Sequence, residues 1–133
     1  MNLIVTLDDR NGMAFNHRRQ SRDRVLTERI LQICGGRLTV NAYTAALFEG
    51  MNADLTVAED PLSVAGTGEW CFLETLSPAS AKEKIERLIV YRWNRAYPFD
   101  LKFDWDLATM KLQSKTDFVG YSHEKITEEV YVP

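Results

Sequence analysis

The sequence predicts one α/β domain with a mixed, mainly parallel central sheet, antiparallel strands at the C-terminal end of the chain, and helices on both faces. Three observations lead there. From Leu3 to Tyr91, aliphatic or β-branched runs alternate with short helical patterns, the order of a chain that lays parallel strands beside one another. From Asp100 onward Gly and Pro become scarce and the residues alternate as antiparallel strands do. A length of 133 residues, 45% hydrophobic and 26% charged, suits a single globular unit with its own core. No low-complexity stretch, linker or repeat divides it, so residues 1–133 read as one domain.

Leu3 to Leu7 is a continuous apolar run that fits a strand covered on both faces. It ends at Asp8-Asp9-Arg10-Asn11-Gly12, where Asn-Gly supplies a turn with positive φ. Ser21 has the chemistry of a helix N-cap, with Asp23 then falling in the first turn. Leu26, Ile30, Ile33 and Cys34 form one helical stripe, ended by Gly35-Gly36. Leu38 to Val40 reads as a strand, Tyr43 to Phe48 as a short helix, Asp54 to Ala58 and Trp70 to Leu73 as strands. Pro78 opens a helix expected through Ala81, Ile85 and Leu88, and Leu88 to Tyr91 is the most secure interior strand. The segments around Phe103, Met110 to Leu112 and Ile126 to Val132 complete the antiparallel part.

The formal net charge of −3 gives no global electrostatic reason to expect nucleic acid as a partner. The N-terminal apolar run is too short for a secretory leader, and no run approaches the roughly 18 residues of a membrane span. A cytoplasmic protein with no membrane partner is expected. Cys34 and Cys71 lack metal or redox spacing and read as core thiols.

Several segments carry a resemblance. Leu3 to Met13, Arg87-Leu88-Ile89-Val90-Tyr91, Tyr97-Pro98-Phe99-Asp100, Met110 to Ser114 and Glu129-Val130-Tyr131 resemble, in order, the first strand, its following loop and the C-terminal strands of dihydrofolate reductase. The resemblance implies that family's fold. It also places Asp23 near the family's substrate carboxylate. The family's Leu-Pro-Trp reads Arg19-Gln20-Ser21 here, its Gly-Arg-x-Thr phosphate turn reads Asn41-Ala42-Tyr43-Thr44, and its Gly-Gly pair falls near Leu73-Glu74. A chain with those departures is expected to lack a working NADPH site, and no cofactor is assigned.

Arg18 to Asp23, Tyr91 to Arg95 and Ser122 to Thr127 also resemble segments of short bacterial proteins that carry the label ribonuclease Z. That label implies a His-x-His-x-Asp-His cluster holding two zinc ions. His17 and His123 are the only histidines of the chain, so a two-zinc hydrolase site cannot be assembled from it.

Two clusters invite chemistry. Arg18, Arg19, Gln20, Ser21, Arg22, Asp23 and Arg24 place four guanidinium groups around a helix start, where an anion would compensate them; the alternative is a solvated turn paired with nearby acids. Tyr91, Arg92, Trp93, Asn94 and Arg95 follow a strand whose carboxyl end is where open α/β sheets place ligands. Trp93 and Tyr91 could stack a ring while Arg92 and Arg95 hold an anion, or the aromatics could be core and Arg92 cross-paired. Ser122, His123 and Glu124, read as consecutive strand residues, would point to opposite faces and form no triad. His123 alone, or Asp23, remains a candidate general acid or base, with Ser122 beside it as a ligand contact. Asp100, Asp104 and Asp106 read as alternating surface positions, and no metal is assigned. The favoured function is binding of an anionic small molecule or nucleotide. The rivals are an enzyme using Asp23 or His123, and a homodimer with Trp93 and its arginines in the contact.

Overall fold

The computed structural model describes residues 1–133. The N-terminal aliphatic run forms β1 (Asn2–Leu7), whose Leu3, Ile4, Val5 and Leu7 are fully buried. β2 (Gly12–Phe15) and β3 (Arg18–Arg19) form a hairpin, followed by α1 (Arg24–Ile33), β4 (Arg37–Val40), α2 (Ala42–Ala45), β5 (Asp54–Val57), α3 (Pro61–Val64) and β6 (Trp70–Leu73). β7 (Arg87–Arg92), β8 (Leu101–Lys102), β9 (Lys111–Phe118) and β10 (Ile126–Val132) complete the chain. Short 3₁₀ turns lie at Ala46–Phe48, Ala79–Lys84 and Leu107–Thr109.

Seven strands form one sheet in the order β5-β4-β6-β1-β7-β10-β9. β1 runs parallel to β6 and β7, and β4 parallel to β5 and β6, while β10 is antiparallel to both β7 and β9. The mixed, mainly parallel sheet with an antiparallel C-terminal edge is the architecture the element order predicts. A second, three-stranded sheet, β3-β2-β8, folds over the end of β1.

Alternation along the strands divides the core in two. Ile4, Phe72, Ile89 and Tyr91 face Leu26 and Ile30 of α1, with Phe48, Trp93 and Ile126. Leu3, Val5, Leu7, Leu88 and Val90 face Leu62 of α3, Ala81, Ile85, Phe103 and Trp105. Both Cys34 and Cys71 are buried free thiols.

Three local expectations are corrected. α1 is capped by Asp23 rather than Ser21: the Asp23 backbone is extended (φ −153°, ψ 127°) and its carboxylate accepts the N–H groups of Val25 and Leu26. The helix expected from Pro78 to Leu88 is a 3₁₀ turn that stops at Lys84, because Leu88 is taken into β7 beside Leu3. Ala81 and Ile85 still reach the core. Near Phe103 the strand is only two residues long; Phe103 and Trp105 pack together, ring centroids 5.2 Å apart, as a plug over the second half-core.

The turn after β1 is held by a buried carboxylate. Asp8 accepts N–H groups from Arg10, Gly12 and Tyr97, and Asn11 takes the positive φ (64°) that its type tolerates. Burial alone would raise the Asp8 carboxyl; the bonds from Gly12, Tyr97, Arg10 and Gln20 override it and hold it below its ordinary range. The Tyr97 segment is thereby fixed beside the carboxyl ends of the central strands.

Candidate functional site

Asp23 sits where α1 meets the turn before β10. Its side chain accepts six hydrogen bonds: from the N–H groups of Val25 (2.9 Å), Leu26 (3.3 Å), Tyr121 (2.9 Å) and Ser122 (2.9 Å), from the Ser122 hydroxyl (3.3 Å) and from His123 Nδ1 (2.9 Å). Burial by itself raises this carboxyl. The bonds from Tyr121, His123, Ser122 and Leu26 outweigh burial and hold it well below the usual carboxylate range, so it is ionised at neutral pH.

An ionised Asp23 can only accept, which assigns the His123 tautomer. Nδ1 carries the proton shared with Asp23, and in the neutral ring Nε2 is the lone-pair acceptor. Two hydroxyls meet that lone pair, Ser21 Oγ at 3.1 Å and Tyr97 OH at 3.3 Å. His123 is buried, and its ring lies against the indole of Trp93 with centroids 4.6 Å apart. The result is a Ser21–His123–Asp23 chain drawn from three segments far apart in sequence.

The turn supplying His123 corrects the strand reading of Ser122 to Glu124. These residues precede β10, so side-chain alternation does not apply, and the Ser122 hydroxyl lies 3.2 Å from His123 Nδ1. It meets the protonated nitrogen, whereas Glu124 is exposed. Gly120 makes the turn feasible: its N–H donates to the His123 carbonyl, and its bare Cα lies against the Asp23 carboxylate.

The arginine segment is divided by the hairpin. Arg19 makes a two-pronged bond to Glu74, at 2.8 and 2.9 Å, and stacks on Tyr43. Arg18 and Arg22 are exposed, and Arg24 lies over the Tyr121 ring. The Gln20 amide reaches the Pro98 carbonyl at 3.4 Å, while its Oε1 is buried without a partner.

The second cluster disperses as well. Tyr91 is fully buried and donates to Glu128, which also holds Arg29, so it lines no cleft. Arg92 pairs with Glu129 across to β10 and donates to Asn11. Asn94, at φ 59°, donates to Thr127 Oγ1 and the Lys125 carbonyl. Arg95 is exposed. Trp93 is buried within its own chain at 3% exposure. Of the sequence candidates, Ser21, Asp23, Trp93, Ser122 and His123 converge, and Arg22 stands at their edge.

Three spaces border this group. A cleft of about 450 Å³ is lined by Arg22, Arg24, Glu49, Met51, Tyr121 and Ser122. A shallower one of about 280 Å³, with Phe15, Arg18, Arg19 and Tyr97, meets the group only through Tyr97. Between α1 and the sheet is a void of about 10 Å³ bordered by Ser21, Asp23, Thr6, Glu74 and Trp93. Thr6, Glu74 and Trp93 mark the carboxyl ends of β1, β6 and β7, the usual ligand position in open α/β sheets. A further depression at Arg37, Asp54 and Trp70 lies at the amino ends of β4, β5 and β6, away from that position.

Nowhere do three or more His, Cys, Asp or Glu side chains gather in a way that could hold a metal ion. His17 is exposed in the β2–β3 turn, Asp100 accepts the Asn16 N–H and Asp106 caps a 3₁₀ turn. No helix is long and apolar enough to cross a membrane.

Sequence reasoning missed Tyr97, Gly120 and the partnership of Ser21 with His123. A single sequence carries no signal for them, because each depends on a contact between distant segments.

No family model matches the chain, and no curated protein matches it in sequence. The ribonuclease Z label accordingly finds no support. In shape the chain is similar to dihydrofolate reductase from Enterococcus faecalis complexed with NADP(H), with a TM-score of 0.67 over 98% of this chain and 94% of that one, at 9% identity. Identity that low speaks for architecture alone. The chain has a dihydrofolate reductase-like α/β fold.

Proposed function

We propose that the chain is an enzyme working by general acid–base chemistry on a small anionic molecule. His123 is the base, Asp23 positions it, and Arg22 and Arg24 hold the ligand's charge. The observation that carries this reading is the pair of contacts on one imidazole: Nδ1 tied to an ionised, buried carboxylate at 2.9 Å, and Nε2 turned toward a hydroxyl at 3.1 Å. An arrangement made only for stability has no need to leave the basic nitrogen facing a half-exposed serine. The adjoining cleft has the volume of small-molecule sites, about 300–1,000 Å³, and its two arginines make no salt bridge.

The reading invokes no nicotinamide cofactor. By the sequence resemblance Leu73 and Glu74 fall near the reductase family's paired glycines, and Glu74 brings a buried negative charge that Arg19 already neutralises.

A thermal-shift screen of sugar phosphates, nucleotides, folates and small dicarboxylates tests it. A true ligand raises the midpoint of the wild type by mass action. The shift is expected to vanish in Arg22→Gln/Arg24→Gln and to persist in His123→Gln, while turnover of the ligand vanishes in His123→Gln. No shift with any compound, or turnover indifferent to His123, defeats the reading.

A further inference from the structure

We infer that Ser21 is a nucleophile, and that the substrate class is a small carboxylic ester bearing a negative charge. The inference rests on the general-base reading of His123 and extends it to a covalent step. Four observations on Ser21 support it. Its hydroxyl is 3.1 Å from Nε2, the acceptor nitrogen of the neutral ring, of a histidine whose other nitrogen is held by a buried aspartate, the connectivity by which a serine hydroxyl is activated. Ser21 is half-exposed, whereas His123 and Asp23 are buried, so the only member of the chain open to an incoming molecule is the one that would attack.

The remaining two observations concern the charge that develops on an attacked carbonyl. Ser21 borders a void of about 10 Å³, room for one oxygen-sized atom. Trp93 borders the same void, and its indole N–H is buried without an acceptor in the chain. The backbone N–H groups of Ser21 and Arg22 are likewise given to no acceptor. Unpaired donors on the residues that line a one-atom space are the chemistry from which an oxyanion site would be built. Glu74 also borders the void, and its charge is taken up by the two-pronged bond to Arg19. Arg22 borders both this void and the 450 Å³ cleft, so an ester with its carbonyl at Ser21 can extend its anionic end to the guanidinium groups.

The step balances within the chain and water. As the Ser21 Oγ–acyl carbon bond forms, the hydroxyl proton passes to His123 Nε2. The ester C–O bond then breaks and the leaving alcohol takes that proton. Water attacks the acyl-serine, gives a proton to Nε2, and the Oγ–carbon bond breaks as the proton returns to Ser21. The products are a carboxylic acid and an alcohol.

The test treats the folded full-length chain with diisopropyl fluorophosphate, which loses fluoride as a serine oxygen bonds to phosphorus, and locates added mass by peptide mapping. In parallel, hydrolysis of p-nitrophenyl hemisuccinate and of p-nitrophenyl acetate is followed. Expected is one adduct, on Ser21, absent from Ser21→Ala and slowed roughly 100-fold or more in His123→Gln, with the anionic ester cleaved roughly tenfold faster than the neutral one. Circular dichroism confirms that Ser21→Ala, which removes one hydroxyl, remains folded. No adduct at Ser21, or hydrolysis that survives Ser21→Ala but is lost in His123→Gln, overturns the nucleophile and leaves the base standing. An adduct at Ser21 that forms equally fast in His123→Gln overturns the base as well.

Discussion

A Cβ added to Gly120 would stand 2.6 Å from Asp23 Oδ2 and 3.0 Å from Asp23 Cγ. The carboxylate cannot swing away, because six donors fix it. Gly120→Ala is therefore expected to cost about 2 kcal/mol and to blunt every activity that depends on His123. Urea unfolding and the serine-labelling rate measure the two effects together; a neutral Gly120→Ala would show that the turn relaxes freely.

Removing the carboxylate itself should be harsher. Asp23→Ala deletes the α1 cap and strands the buried imidazole and backbone donors, a loss of about 3 kcal/mol or more. Asp23→Asn keeps an oxygen for the cap and should retain a good part of that stability. The difference in urea midpoint between the two variants separates capping from charge.

Acid should loosen the same region. The Asp23 carboxyl of the folded chain lies below its unfolded value of about 3.9, so the native state binds fewer protons. Its stabilisation is complete above about pH 4 and drains away as pH falls below that. Asp8 shifts in the same direction. Melting midpoints should drop below pH 4 in the wild type and drop less steeply in Asp23→Asn, with a residual slope from Asp8. An equally steep fall in both proteins would contradict the assignment.

Arg19 and Glu74 form a buried pair whose two halves are expected to behave unequally alone and together. Arg19→Ala leaves the Glu74 carboxylate, 3% exposed, without a counter-charge, at a cost of about 3 kcal/mol. Arg19→Met with Glu74→Leu should recover most of it. A double-mutant cycle in urea gives the coupling.

Cys71 should be silent in the native chain. Burial pushes its thiol up to about 12, and Cys34 is shifted upward by burial as well. Since the thiolate is the reactive form, Ellman's reagent at pH 8 should modify neither until denaturant opens the core.

The fold was largely legible because it rests on patterns that a single strand or helix carries. The Leu3 to Leu7 run announces a strand covered on both sides, and the alternation after Met110 announces antiparallel pairing. The Asn11-Gly12 turn and the Gly35-Gly36 stop follow from backbone freedom. The start of α1 was misplaced because Ser21 and Asp23 are both good capping types two positions apart, and only the fold shows that the Ser21 hydroxyl is spent on His123. The site was legible as a set of residue types and illegible as a geometry. Asp23 and His123 are separated by 100 positions, and Tyr91 and Trp93 look alike as stacking platforms or as core until burial decides.

The placement of β1 between β6 and β7 has a consequence for the order of assembly. During synthesis the apolar run Leu3 to Leu7 leaves the ribosome before its partners at Trp70–Leu73 and Arg87–Arg92 and waits for them. Its first sheet contacts close loops of that length, which makes nucleation slow and leaves a sticky segment unshielded in the meantime. A nascent chain arrested before β7 should accordingly be degraded or held by chaperones, and native structure should appear abruptly once β7 and the closing strand β10 have emerged.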